Sequence, residues 1–199
     1  MKIPSVESVS ADIRRIGFSC MRCGACCREG PDDSGLVFAS RDEVEALVAS
    51  CAGAWEDVAE PYPDFTPNGN GAAVTFGWCL RHNEGRCWFF SDGRCTAYPA
   101  RPWICRTYPF ALLDGDLFIS DCPGLGGSIS GAEALALAVD LLERARFESE
   151  EEERVRRIFP TIRLPEGKRC VVDGSGLQVL EGLRSDPGVG IRAYRTKLM

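Results

Sequence analysis

Four thiols fall within eight residues in the stretch Cys20-Met-Arg-Cys23-Gly-Ala-Cys26-Cys27, a density of sulfur that simple packing does not call for. A C-x2-C-x2-C spacing lets three thiolates turn toward one centre, because a two-residue bight folds the backbone back on itself. Gly24 supplies the free φ that such a bight needs. Cys27 directly follows Cys26, so in an extended or turn conformation it points away and serves a second centre or a reserve role. Vicinal and C-x2-C disulfides are uncommon and strained or catalytic. A thioredoxin-like redox pair expects a βαβ context, and none is visible here. The stretch therefore reads as a nest for a metal or an iron–sulfur centre.

A second cysteine block runs from Trp78 to Phe110 and carries Cys79, Cys87, Cys95 and Cys105; Cys122 follows it. Cys20, Cys23, Cys26, Cys27, Cys87, Cys95, Cys105 and Cys122 make eight thiols, enough for two four-thiolate sites, with Cys79 as an alternate. Four thiolates on Zn²⁺ or on an oxidised [4Fe–4S] core leave a net charge of about −2, which nearby donors must compensate. Arg22, Arg28, Arg81, Arg86, Arg94, Arg101 and Arg106 all lie close in sequence to a cysteine, although with only three lysines in the chain most basic residues are arginine anyway. Zinc ribbons favour two separated C-x2-C knuckles. This chain has one, and its later cysteines are spaced by 8 and 10 positions, so an iron–sulfur cluster is favoured and zinc is the alternative. His82 is the sole histidine and reads as an exposed loop residue; no carboxylate pair stands out by spacing.

The elements that must hold these thiols can be sketched from pattern. Val6, Val9, Ile13 and Ile16 suit a short amphipathic helix. Gly30–Gly35 is a turn, Leu36–Phe38 a short strand, and Ser40 with Glu43 a capping box that opens a helix with Val44, Leu47 and Val48 on its buried stripe. Cys51, near the end of that helix, reads as a small buried residue. Residues 61–71 form a loop and Val74–Phe76 a strand. Gly85, Gly93, Pro99, Pro102 and Pro109 make the stretch 78–110 an irregular loop that a metal would have to staple. Asp114-Gly115 turns a hairpin. Ser130 and Glu133 form a second capping box, and Ser149 with Glu152 a third, with the acidic run Glu150–Glu153 at a helix start. Asp173–Gly176 joins a last hairpin, and the tail beyond Glu181 is mildly basic. No internal repeat is evident.

Composition narrows the classes. Hydrophobic residues at 45% and charged residues at 26% are ordinary for a globular chain, and the formal charge of −6 argues against a nucleic-acid binder. The first eighteen residues lack the apolar core of a signal peptide, and no run approaches the length of a membrane span. A cytoplasmic chain keeps its thiols reduced, where clustered cysteines mean metal. Eleven cysteines cannot all pair as disulfides, and ten of them lie between Cys20 and Cys122. The expectation is an α+β protein: a small loop-rich cysteine domain over 1–129 organised around metal or iron–sulfur sites, a helical segment over 130–160, and a small β hairpin with a basic tail over 161–199.

Two motifs in order, Phe18-Ser-Cys20-x2-Cys23-Gly-x-Cys26-Cys27-Arg28 and Cys87-Trp-Phe-Phe-x3-Arg94-Cys95-Thr-Ala-Tyr98-x2-Arg101-Pro102-x2-Cys105-Arg106-x-Tyr108-Pro109-Phe110, resemble the YkgJ-type cysteine-cluster (CxxCxxCC) family over roughly residues 16–127. The resemblance implies a zinc- or iron-chelating domain, often labelled an iron–sulfur oxidoreductase. Cys122-Pro-Gly-Leu looks like the family's later cysteine, while Cys79 is less a fixed part of the pattern. Within these motifs Arg28, Tyr98, Arg101 and Arg106 are expected to hydrogen-bond the bound thiolates or to capture an anionic ligand. Two functions follow. One is an iron–sulfur protein, most simply with a 4Fe-4S cluster, acting in redox or protein-modification chemistry on a protein or small molecule. The other is a non-catalytic, zinc-stapled interaction module docking through its helices.

Overall fold

In a computed structural model, which describes residues 3–28, 36–51 and 53–180, the spacing of Val9 and Ile13 becomes the buried face of helix α1 (Val6–Ile16). Ser5 caps it by accepting the Ser8 N–H. Strand β1 (Phe38–Ala39) follows, then helix α2 (Arg41–Cys51), where Ser40 and Glu43 exchange the expected reciprocal cap. Cys51 is exposed rather than buried: it shares the face of Val44 and Leu47 but is the last residue of α2, a turn beyond the buried Leu47. The Gly30–Gly35 turn and the tail beyond Glu181 lie outside the described residues.

Helix α3 (Trp55–Val58) leads to strands β2 (Ala59–Pro61), β3 (Thr66–Pro67), β4 (Ala73–Phe76) and β5 (Trp78–Leu80). Strand β5 pairs antiparallel with β1 on one edge and β2 on the other. Its side chains Trp78, Cys79 and Leu80 are all buried, and Trp78 and Leu80 pack with Val44, Leu47, Val58 and Phe89 into the first core.

The stretch expected as an irregular loop is instead a pair of tandem hairpins. Strands β6 (His82–Asn83) and β7 (Arg86–Cys87) turn at Glu84-Gly85, and β8 (Phe90–Ser91) and β9 (Arg94–Cys95) turn at Asp92-Gly93. Both turn positions have positive φ in each case, 51° and 72° in the first and 51° and 77° in the second, as two-residue type I′ turns require. The two units repeat with a period of eight: Trp88 N–H donates to Arg81 O at 2.9 Å, and Thr96 N–H to Phe89 O at 2.8 Å. Each hairpin ends on a cysteine. Cys87 and Phe89 enter the first core, so the segment has a core of its own and does not depend on a staple alone.

Helix α4 (Trp103–Thr107) carries Cys105. Glu43 reaches across from α2 to accept the Trp103 N–H at 2.7 Å, fixing the start of α4. The predicted Asp114-Gly115 hairpin is β10 (Phe110–Leu113) with β11 (Asp116–Ile119). Helix α5 (Gly131–Ile158) opens on the Ser130/Glu133 box and runs unbroken for 28 residues. The third box at Ser149 is therefore not a helix start, since neither Gly nor Pro interrupts residues 132–158. The acidic run lies within α5, where Glu151 pairs with Arg154 and Glu152 with Arg156. Helices α1 and α5 enclose a second core of Val9, Ile13, Phe110, Ala134, Ala138 and Leu141. Finally β12 (Arg169–Asp173) and β13 (Gly176–Val179) form the last hairpin, and β12 adds parallel to β4 in the sheet order β13-β12-β4-β3. Buried Asp173 ties this sheet to the first core by accepting Trp78 Nε1–H at 2.8 Å and Arg41 Nε–H at 3.1 Å. No helix among the described residues is long and apolar enough to cross a membrane.

Candidate metal centre

The early cysteine stretch is a loop ending in a 3₁₀ turn, Ala25–Cys27, entered through Gly24 in the left-handed conformation at φ 70°. Two backbone junctions bring it to the later thiols. Arg28 bridges Arg86 at the end of the first tandem hairpin, and Phe18 bridges Leu125 in the loop after Cys122. Ser19 N–H donates to Gly124 O at 3.0 Å, and Gly126 N–H to Gly17 O at 3.0 Å. Gly24 itself lies against the Phe90 ring: a Cβ there would stand 2.1 Å from Cε2. Gly124 is likewise required by close approach, because its Cβ would meet Ser19 O at 2.4 Å.

The result is a cavity of about 440 Å³ walled by six thiols, Cys20, Cys26, Cys27, Cys87, Cys95 and Cys105. The two distant segments thus converge. None of the eleven cysteines is paired as a disulfide. Cys27 does not turn away from the centre. Its Sγ stands 4.0 Å from that of Cys26, because successive side chains in a 3₁₀ turn diverge by roughly a third of a revolution rather than to opposite faces. Cys23 and Cys122 sit outside the cavity wall and near each other and Cys20, close enough that a charge on either early thiol disfavours ionisation of Cys122. Cys79 is fully buried in β5 behind the wall and does not reach the cavity; Cys170 is buried in β12, likewise away from it.

Three sulfurs share one local geometry. Cys87 accepts the backbone N–H of Phe89, Cys95 that of Ala97, and Cys122 that of Gly124 at 3.4 Å. An N–H donated from two residues ahead aims each sulfur and favours its thiolate. Burial opposes this, pushing Cys87 up to about 11 and Cys105 further up, with neighbouring thiols adding to the effect. The hydrogen bond from Cys27 draws Cys26 down to about 6, and the same bond, with burial, pushes Cys27 up. Arg101 lowers Cys26, Cys95 and Cys105 alike.

The arginines divide differently from expectation. Arg101 lines the cavity, stacked 3.7 Å from the Tyr98 ring centroid and donating to Tyr98 O and Cys105 O, both at 3.2 Å. Arg22 and Arg94 also line it, and Arg22 lies over the same ring at 4.9 Å. Arg28 covers the Phe90 ring instead, at 4.9 Å. Arg106 faces away, paired with Asp140 of α5 at 3.2 Å and stacked on Trp103. Composition masked this division, since nearly every cation is an arginine.

An all-sulfur donor set suits zinc or iron–sulfur chemistry and excludes hard cations. The thiols surround a volume rather than a point: among the described residues no three cysteine, histidine or carboxylate donors are gathered as the ligands of a single ion. A family model, CxxCxxCC, described as a putative zinc- or iron-chelating domain, matches residues 19–124. No curated protein and no solved structure matches the chain.

Proposed function

The chain belongs to the CxxCxxCC family, and from that premise we propose that its thiol-walled cavity holds an iron–sulfur centre, most simply 4Fe-4S, serving redox or protein-modification chemistry. The observation that carries this reading is the single 440 Å³ cavity onto which six cysteines from two segments open. A structural zinc site draws four ligands to about 2.3 Å from one ion and closes around it. A cluster of several atoms needs a chamber, and iron–sulfur centres take cysteine thiolate as their usual ligand. Cys26, Cys27, Cys87, Cys95, Cys105 and Cys20 would hold the group, with Cys23 and Cys122 at an outer position. The centre would supply one-electron exchange when bound; the residues around it orient the sulfurs and set local charge. Eleven unpaired thiols support a reducing, cytoplasmic compartment.

Anaerobic purification with iron, zinc and acid-labile sulfide analysis tests the proposal. The expected protein is brown, absorbs at about 400 nm and bleaches with dithionite. A colourless chain with stoichiometric zinc and no sulfide overturns it and favours the zinc-stapled interaction module.

A further inference from the structure

Among the described residues the cavity wall holds three guanidinium groups, Arg22, Arg94 and Arg101, and no carboxylate. In a chain of net charge −6 that is a strong local reversal. Among the described residues none of the three has an acidic partner, whereas Arg41, Arg106, Arg144 and Arg154 each do. Four thiolates on zinc or on an oxidised cluster leave about −2, so three guanidinium groups leave about one positive charge over with either group bound. Charge compensation of the thiolates therefore does not use up the arginines.

Their placement is also organised. Tyr98 is the platform: Arg101 lies 3.7 Å and Arg22 4.9 Å from its ring centroid. Two carbonyl contacts hold Arg101 in place, while Arg22, at φ 53°, is projected from an exposed position in the early loop. Val37, Leu47, Leu80 and Phe89 line the same cavity and give it an apolar wall.

We propose that Arg22 and Arg101, both gathered on the Tyr98 ring, together with Arg94 on the same wall, bind the anionic group of a small ligand, a carboxylate or phosphate monoester on an apolar body, beside the thiol centre. This deepens the function proposed above and rests on the thiol-walled cavity being the working site. Guanidinium suits both oxyanions, since its planar fork donates to two oxygens at once.

The test uses the full chain as purified anaerobically, with benzoate and phenyl phosphate as probes in isothermal titration calorimetry and metal and sulfide measured on the same samples. One probe is expected to bind saturably at about one per chain, and which of the two binds separates carboxylate from phosphate ligands. Arg22→Gln, which breaks no hydrogen bond among the described residues, is expected to weaken it about tenfold or more. Arg22→Lys should recover part of the loss, and Arg157→Gln on α5 should change nothing. Metal content should be equal in all of them. Failure of both probes to bind, or unchanged binding in Arg22→Gln, overturns the proposal. So does loss of metal along with binding in Arg22→Gln, which would make the arginine a charge-compensating group alone. A chain that binds a probe without any metal keeps this proposal and removes the iron–sulfur reading.

Discussion

Gly24→Ala tests the convergence of the two cysteine segments without touching a thiol. At φ 70° an alanine bears the left-handed penalty of about 1–2 kcal/mol. Its Cβ would also stand 2.1 Å from Cε2 and 2.4 Å from Cζ of Phe90, so the ring or the loop must move, an overpacking cost of about 1–3 kcal/mol. The sum, about 2–5 kcal/mol, falls on one junction rather than on either core. Because Cys20 and Cys23 are exposed, the cheaper response is for the loop to lift off the second tandem hairpin while the rest stays folded. Metal per chain should fall sharply, and the melting temperature of the metal-free protein should shift by only a few degrees. Gly24→Asn separates the two causes, since asparagine tolerates the left-handed region yet meets the same ring. Phe90→Leu in the Gly24→Ala background should restore the overpacking share of the loss. Wild-type metal content in Gly24→Ala would refute the claim that this contact docks the early thiols.

The thiols themselves should sort by position. Cys105→Ser is expected to lose metal, whereas Cys79→Ser should keep it and instead lose about 1–3 kcal/mol from burying a hydroxyl in β5, as read by metal analysis beside urea unfolding. Gly124→Ala should drive the 122–127 loop off Ser19 and move Cys122 from Cys20 and Cys23; a reduced metal count with Cys26 and Cys27 still protected from alkylation is the expected readout. In metal-free protein, burial raises Cys87 to about 11, and burial together with Glu60 raises Cys79 to about 12, against an ordinary thiol in the unfolded chain. Unfolded chains therefore release these protons first as pH rises, so the stability is whole below about pH 8 and declines from there toward pH 11–12. Urea midpoints at pH 7.5 and 10 check the sign; a midpoint that rises with pH contradicts it.

How far the sequence could be read depended on whether the signal was local. Helix α1 was legible from the spacing of Val6, Val9, Ile13 and Ile16, and α2 and the start of α5 because Ser40/Glu43 and Ser130/Glu133 are caps that satisfy their own neighbours. The hairpin at Asp114-Gly115 was legible from the same turn chemistry, and the identical dipeptide at Asp92-Gly93 passed unread amid glycines and prolines. The repeat Arg86-Cys87 and Arg94-Cys95 behind Glu-Gly and Asp-Gly was its available signal. The pairing of β12 with β4 joins residues about a hundred positions apart, and no local pattern specifies it. Among site residues, the cysteine blocks announced themselves by density. Arg22 and Arg94 did not, since which arginine faces a cavity is decided by the φ of one residue and the twist of one hairpin.

The remaining question is what orders the backbone around the thiols. Were the centre the sole staple, the segment between Trp78 and Phe110 would carry only cysteine contacts. It carries instead two hydrogen-bonded hairpins, Phe89 and Cys87 buried against Leu47 and Val58, and an α4 start held by Glu43. The early loop docks on the tandem hairpins through Gly24 and Arg28 and on the loop after Cys122 through Ser19, none of them a sulfur donor. The wall of the cavity thus has hydrogen bonds and a core of its own, unlike a zinc finger, where binding energy is folding energy. The arginines on the same wall are likewise held by contacts other than a bound centre, Arg101 by the carbonyls of Tyr98 and Cys105 and Arg22 by the Tyr98 ring.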